Sequence, residues 1–335
     1  MGIDLPLIWF LIIGFGVMMY VIMDGFDLGV GILFPFVPDR EHRDTMVNTV
    51  APVWDGNETW LVLGGAGLMA AFPKVYAILL SALYIPVLCL LAGLIWRGAS
   101  FEFRFKADEA HKPFWDKAFM VGSYMAAFFQ GVILGAFIDG HHVVDGVATE
   151  GIMDWLTPFS AFTGVGVVIA YALLGATWLI LKTEGDLQHR IKQATRPIMF
   201  ATLAAIAIVS VWTPLTHPAI AARWFDMPTF WFVTPVPILV LISAYAILRS
   251  LHGNPNAGPF VWSLVLIFLG YSGLVISIWP NILPPDMSIW DAAAPPQSLG
   301  FALVGALLII PIILVYTAWS YYVFRGKVKA GEGYH

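Results

Sequence analysis

Apolar runs of about twenty residues recur along the whole chain, and no other feature limits the fold so tightly. The first, Leu5 to Met23, has 19 residues without a charge. A helix of roughly 20 such residues spans a hydrocarbon core of about 30 Å with its backbone groups bonded internally, the only open-ended way to cross it. Comparable stretches fall at about 5–35, 52–72, 75–96, 118–138, 156–181, 197–216, 229–248, 259–280 and 298–324. They predict an all-α integral membrane protein of nine crossings, a single transmembrane domain over residues 1–335. Only 12% of the residues are charged, against roughly a quarter in soluble domains. No basic stripe suited to nucleic acid is present. The first run has no basic segment ahead of it and no small-residue cleavage site, so it reads as a retained helix and not a signal peptide.

Lysine and arginine give the orientation. Of 17, all but Lys74 and Arg223 fall in one alternating set of loops, from Arg40 and Arg43 through Arg97 and Arg104 to the tail. The positive-inside rule then places the N-terminus outside and the C-terminus in the cytoplasm.

The second crossing raises the functional question. Its uncharged part, Thr59 to Pro73, has 15 residues and is too short to span at about 1.5 Å per residue. The crossing must therefore take in Trp54, Asp55, Gly56, Asn57 and Glu58. An acid at the centre of a bilayer helix costs about 2.5–3.5 kcal/mol on insertion scales. By the orientation above, Asp24 and Asp27 lie in the cytoplasmic half of the first helix, Asp55 and Glu58 in the first turns of the second, and Glu102 just after the third, in "WRGASFEFRFK". All five acids are expected at one end of three consecutive helices.

Asp24 and Asp27 are spaced i, i+3, as are Asp55 and Glu58, so each pair shares a helix face. Carboxyls crowded in a low dielectric cannot all ionise, and with Asn57 to orient water they suit a proton relay. The bland reading is helix-dipole stabilisation by Asp55 and Glu58, with Asp24 and Asp27 paired to Arg40 or Arg97. Gln130, midway along the fourth crossing, is expected to hydrogen-bond between helices, a quinone contact being the lesser alternative. All eight histidines fall in loops or at helix ends, so no helix interior offers an imidazole for a haem, and the chain is expected to ligate none. His141 and His142 with Asp139 or Asp145 form a weak candidate metal group, with loop solvation favoured. Cys89 has no second thiol to pair with.

The segments "DGFDLGVGILFPF", "NTVAPVWDGNETWLVLGGAGLMAAFP", "FEFRFK", "GATWLILKTEGDL" and "MSIWDAAAPPQSL", with the closing "YTAW", together resemble subunit II of cytochrome bd-type quinol oxidases from the first helix to the tail. The "ETW" wording and Gln130 are similar to the cyanide-insensitive branch. The resemblance implies a bacterial inner-membrane protein of two four-helix bundles plus one peripheral helix. Its implied partner is a haem-bearing subunit I, with two b-type haems and a d-type or replacement b-type haem. A small single-helix accessory subunit and a structural quinone or lipid are further implied guests, and the complex would oxidise quinol and reduce oxygen to water. It also implies a cytoplasmic proton path on Asp24 or Asp27, Asp55 and Glu102, with Trp54 packing a helix interface. Glu58 stands where relatives carry an amide, which sets its part aside from the family pattern. The alternatives are a proton- or cation-coupled secondary transporter, for which no inverted repeat is found, and a purely structural scaffold.

Overall fold

The computed structural model describes residues 3–140, 143–144, 147–148, 151–227, 229–253, 257–285 and 287–328. Helix α1 spans Leu5–Leu33 and runs into a 3₁₀ turn, Phe34–Phe36; α2 (Arg40–Asn48), α3 (Trp54–Ala71), α4 (Pro73–Ala82), α5 (Tyr84–Lys106) and α6 (Lys112–Asp139) follow. Two-residue strands β1 (Val143–Val144) and β2 (Val147–Ala148) form an antiparallel pair. Next come α7 (Pro158–Lys182), α8 (Gly185–Thr216), α9 (Pro218–Phe225), α10 (Phe230–Val233), α11 (Pro235–Ser250) and α12 (Gly258–Ile278). A hairpin of β3 (Asn281–Leu283) and β4 (Met287–Ser288), the short α13 (Ile289–Ala292) and α14 (Pro296–Val323) complete the described order.

Eight of the described helices are long and apolar enough to cross a membrane, or nine spans if the bent pair α3 and α4 counts as one. That pair corrects the expected third crossing at 75–96. Pro73 disfavours helical geometry in the residue before it, and Phe72 duly sits at φ −134°, ψ 62°. The chain turns by 120° there, and α4, only 10 residues long, ends at Ala82. The long helix is α5, which continues through "WRGASFEFRFK" to Lys106, so this segment is helix where a loop was expected. Likewise α8 starts at Gly185, well before 197, and carries Pro197 within it.

Local chemistry sets several ends. Asp4 caps α1 by accepting from the Leu7 N–H at 3.1 Å. Thr157 and Ser160 form a reciprocal capping box at the start of α7. Asp39 caps α2 by accepting from the His42 N–H at 3.0 Å, which draws its carboxyl below the usual carboxylate range.

The main apolar core lies between α1, α5, α6 and α7, with Leu28, Val30, Leu173 and Leu174 fully buried. Glycines let these helices approach to backbone contact. A Cβ on Gly175 would sit 2.7 Å from the Gly29 Cα, and one on Gly93 would sit 2.7 Å from the Ala126 N, so neither crossing tolerates a side chain. By contrast, α14 buries only Leu299 among its 28 residues. Phe301, Leu307, Ile312, Val315 and Trp319 are all exposed along it.

Candidate functional site

The site lies where α1 and α5 finish and α3 begins, at the end of the molecule richest in lysine and arginine. A clamp of side chains near the helix ends positions it. Arg104, near the end of α5, binds Asp44 of α2 at 2.6 Å and Asp116 of α6 at 2.7 Å. Arg43 of α2 reaches the same Asp116 at 3.1 Å and donates to the Val37 carbonyl at 2.7 Å. Both guanidiniums lie over the Phe34 ring, at 5.1 and 5.7 Å. The clamp ties the connection between α1 and α3 to α5 and α6. Trp54, the first residue of α3, stacks on Phe101 of α5 with ring centres 4.9 Å apart, which sets the spacing of these two helices.

Inside that frame two carboxyls bind one guanidinium, and a third lies near them. Arg97 of α5 is fully buried. Its Nη1 donates to Asp24 Oδ1 of α1 at 2.6 Å, and its Nη2 donates to Glu58 Oε1 of α3. Asp27, one turn along α1 and equally buried, accepts from the Asn57 Nδ2 at 2.7 Å. The same amide nitrogen donates to the Met23 carbonyl at 3.3 Å, and Asn57 Oδ1 accepts from the Tyr321 hydroxyl of α14 at 2.9 Å. Asp27 has no cation among its hydrogen-bond partners in the described chain.

Asp24 Oδ2, Asp27 Oδ1 and Arg97 Nε lack a close hydrogen-bond partner within the protein, and the group beside Asp24 is the Tyr20 hydroxyl one turn up α1. Buried polar groups in folded proteins are nearly always hydrogen-bonded to protein or to ordered water, so these open valences call for water or for a group from outside the chain. If every acid ionised, three carboxylates would face one guanidinium and leave an excess of two negative charges in a low dielectric. The arrangement can therefore bind and exchange protons.

The remaining candidates are less closely drawn in. Asp55 is exposed in the first turn of α3. Glu102 is exposed on α5, its side chain 66% accessible, and pairs with Lys106 at 3.3 Å. Neither touches the buried cluster, although Glu58, one turn from Asp55, is one-quarter accessible and stands between surface and interior. Gln130 of α6 lies beside Tyr171 of α7, with its Oε1 unpartnered in the chain. Arg40 binds Glu109 at 2.7 Å, leaving Arg97 as the partner of Asp24.

Arg97 was expected in a loop, and that placement is corrected: it sits well inside α5. A sequence signal for this exists, because Arg97, Phe101 and Arg104 recur at i, i+4 and i+7, and all three are buried on one face. Tyr20 and Tyr321 carry no such signal, since their roles depend on how α1 and α14 meet α3.

At the opposite end, Asp139 accepts from the Thr157 hydroxyl at 2.6 Å and pairs with His217 Nε2 at 3.3 Å, which raises the His217 imidazole above its ordinary value. His141, His142 and Asp145 lie outside the described residues. Among the described residues no group of three or more His, Cys, Asp or Glu is placed to hold a metal ion. The described histidines, among them His42 in α2, His111 before α6 and His217 after α8, do not fit axial ligation of a haem inside the bundle.

Comparison with known proteins agrees along the full length. The family model described as cytochrome bd terminal oxidase subunit II matches residues 5–324. The chain is 30% identical to the cytochrome bd ubiquinol oxidase subunit 2 of Bacillus subtilis (strain 168), covering 97% of each. It is 28% identical to the cytochrome bd-I ubiquinol oxidase subunit 2 of Escherichia coli (strain K12), over 97% of this chain and 95% of that one. A chain in the structure of the bd oxidase from Geobacillus thermodenitrificans shares its fold, with a TM-score of 0.77 at 17% identity over 96% of this chain and all of the other. A match over nearly every residue, together with a fold shared end to end, makes this chain a member of the cytochrome bd terminal oxidase subunit II family.

Proposed function

We propose that the chain is the haem-free subunit of a bacterial inner-membrane quinol:oxygen oxidoreductase, paired with a haem-bearing subunit I, and that its buried acids admit protons from the cytoplasm. Its relatives carry the name ubiquinol oxidase subunit 2, which supports a quinol as the electron source of the complex. The topology that goes with this reading is nine crossings with the N-terminus outside. Helices α1, α3, α5 and α6 form one four-helix bundle, α7, α8, α11 and α12 a second, and α14 the peripheral helix. The near-complete exposure of α14 and the packing of α1 against α7 between the two sets support that arrangement.

One observation carries the proton-path reading: two carboxyls share a single buried guanidinium and a third is buried beside them on an amide, with oxygens of Asp24 and Asp27 lacking a close partner in the chain. Glu102 and Asp55 gather protons at the surface, Glu58 stands at the mouth, and Asn57 orients Asp27. Asp24 is held by Arg97, whereas Asp27 hydrogen-bonds to an amide and to no cation, so Asp27 is the carboxyl free to carry the proton inward. From there the path leaves the chain toward subunit I. Reduction of oxygen consumes protons; taking them from the inside stores about 2.3 kcal/mol per charge for each 100 mV of membrane potential.

The Arg97–Asp24 pair also favours a second reading, in which the acids only hold the subunit together. Asp55→Asn separates the two, because Asp55 is exposed and supports no buried contact. In the purified complex the variant is expected to keep normal assembly and haem spectra and to consume oxygen more slowly. Wild-type turnover, or loss of the haems, removes Asp55 from the path.

A further inference from the structure

We propose that Glu58 is the loading carboxyl of the buried cluster, and that Arg97 is a positioning residue that holds Glu58 and Asp24 together while leaving Asp27 as the inner site to which the loaded proton passes. The inference deepens the proton-uptake reading and rests on it. It goes beyond that reading because the resemblance gives Glu58 no part in the proton path, and what assigns it a role is its position.

Three features of the cluster single Glu58 out. Of the three carboxyls in the cluster it alone is accessible at the surface of the chain: its side chain is 25% accessible, against 1% for Asp24, and Asp27 is fully buried. It shares a guanidinium with Asp24, each acid taking a different Nη, so the two carboxyls are held on adjacent branches of one planar fork. Its neighbour Asn57 points the other way along α3, to Asp27, so a single helical turn presents one side chain to the mouth and one to the interior. The charged and titratable groups facing Glu58 are Arg97 of α5, Asp24 and Asp27 of α1 and Asp55 of its own helix, with Tyr20 of α1 beside Asp24. Arg97 is the only cation among them.

The cycle balances as follows. Protonated Asp27 gives its proton to a base on the partner subunit: the O–H bond at Asp27 breaks and a carboxylate remains. The cluster then carries one more negative charge than before, which draws a proton from water at the mouth onto Glu58. An O–H bond forms at the carboxylate, its charge pair with Arg97 lapses, and the guanidinium stays on Asp24. The proton next passes from Glu58 to Asp27 through water bound at the open oxygens of Asp24 and Asp27, and Glu58 returns to Arg97. Arg97 keeps its proton throughout and fixes the count at one mobile proton.

The test uses the complete oxidase, purified with its haem-bearing partner, and measures oxygen consumption at saturating quinol as a function of pH. Glu58→Gln keeps an oxygen for Arg97 to donate to and removes the proton site. The expected result is unchanged haem content, turnover lowered by about tenfold, and an alkaline limb moved to lower pH, because loading then needs a higher proton concentration. Wild-type turnover and profile in Glu58→Gln, with Asp27→Asn slow, overturns the role of Glu58 and leaves the path intact. Wild-type behaviour in both variants overturns the path as well. Should Glu58→Gln fail to assemble, Glu58→Asp decides: an assembled complex with a displaced profile supports loading at this position, and one with the wild-type profile overturns it.

Discussion

The buried polar groups of α1, α3 and α5 and those of α8, α11 and α12 solve the same problem in opposite ways. In the second set the interior polar residues are hydroxyls that bond to their own helix. Thr195, Thr202 and Thr213 of α8, Ser243 of α11 and Ser263 of α12 each donate to the carbonyl four residues earlier, at 2.8–2.9 Å. For these hydroxyls the neighbouring helices need supply only packing; the Tyr271 hydroxyl of α12, which donates to the Gly14 carbonyl of α1 at 2.7 Å, is an exception. In the first set no helix is self-sufficient. Asp24 needs Arg97 from α5, Asp27 needs Asn57 from α3, Asn57 takes a hydroxyl from α14, and open valences remain. The difference teaches that intramembrane polarity by itself says little. Groups that must look outside their own helix, and still lack partners, are the ones available for chemistry.

The sharpest break of this contrast is Arg97→Met. It leaves the buried Asp24 without its counter-charge, and removal of one partner of a buried pair costs about 3–5 kcal/mol. The thermal midpoint of the complex is expected to fall steeply, or the complex to be lost from the membrane; an unchanged midpoint means that the guanidinium does not stabilise the cluster. Next in size is Gly175→Ala at the crossing of α7 with α1, the seam between the two sets. Its methyl group meets the α1 backbone at Gly29, and forcing the helices apart is expected to cost about 1–3 kcal/mol in thermal unfolding. The smallest effect is expected from Thr202→Val, which removes only a hydroxyl bonded within α8 and should alter stability by less than about 0.5 kcal/mol. A large loss there would show that the hydroxyl serves a partner outside its helix, and would remove the distinction between the two regions.

Much of the molecule was legible in the sequence because a bilayer permits few solutions. Runs such as 156–181 and 259–280 return as α7 and α12 to within a few residues, since hydrocarbon thickness fixes their length. The exception is 75–96, where hydropathy stays high across the turns at Pro73 and Leu83 and therefore hides the break between α4 and α5. In the site, the i, i+3 spacing put Asp24 with Asp27 on one face. It did not show that Asn57 and Glu58, adjacent in sequence, would serve different acids, nor that Tyr321, some 260 residues later, would close the network. Those facts depend on helix crossings, which one sequence does not encode locally. The sequence already offered Arg97, beside Arg40, as a partner for Asp24 and Asp27, and Arg97 is the one that binds Asp24.

The most direct measurement of the central claim is oxygen consumption by the intact complex carrying Asp27→Asn. The amide keeps the size of the side chain and the contact with Asn57, and it cannot carry a proton. Normal haem content with turnover reduced by about a hundredfold is the expected result. Normal haem content with wild-type turnover would contradict it, and would make the buried acids of this subunit structural.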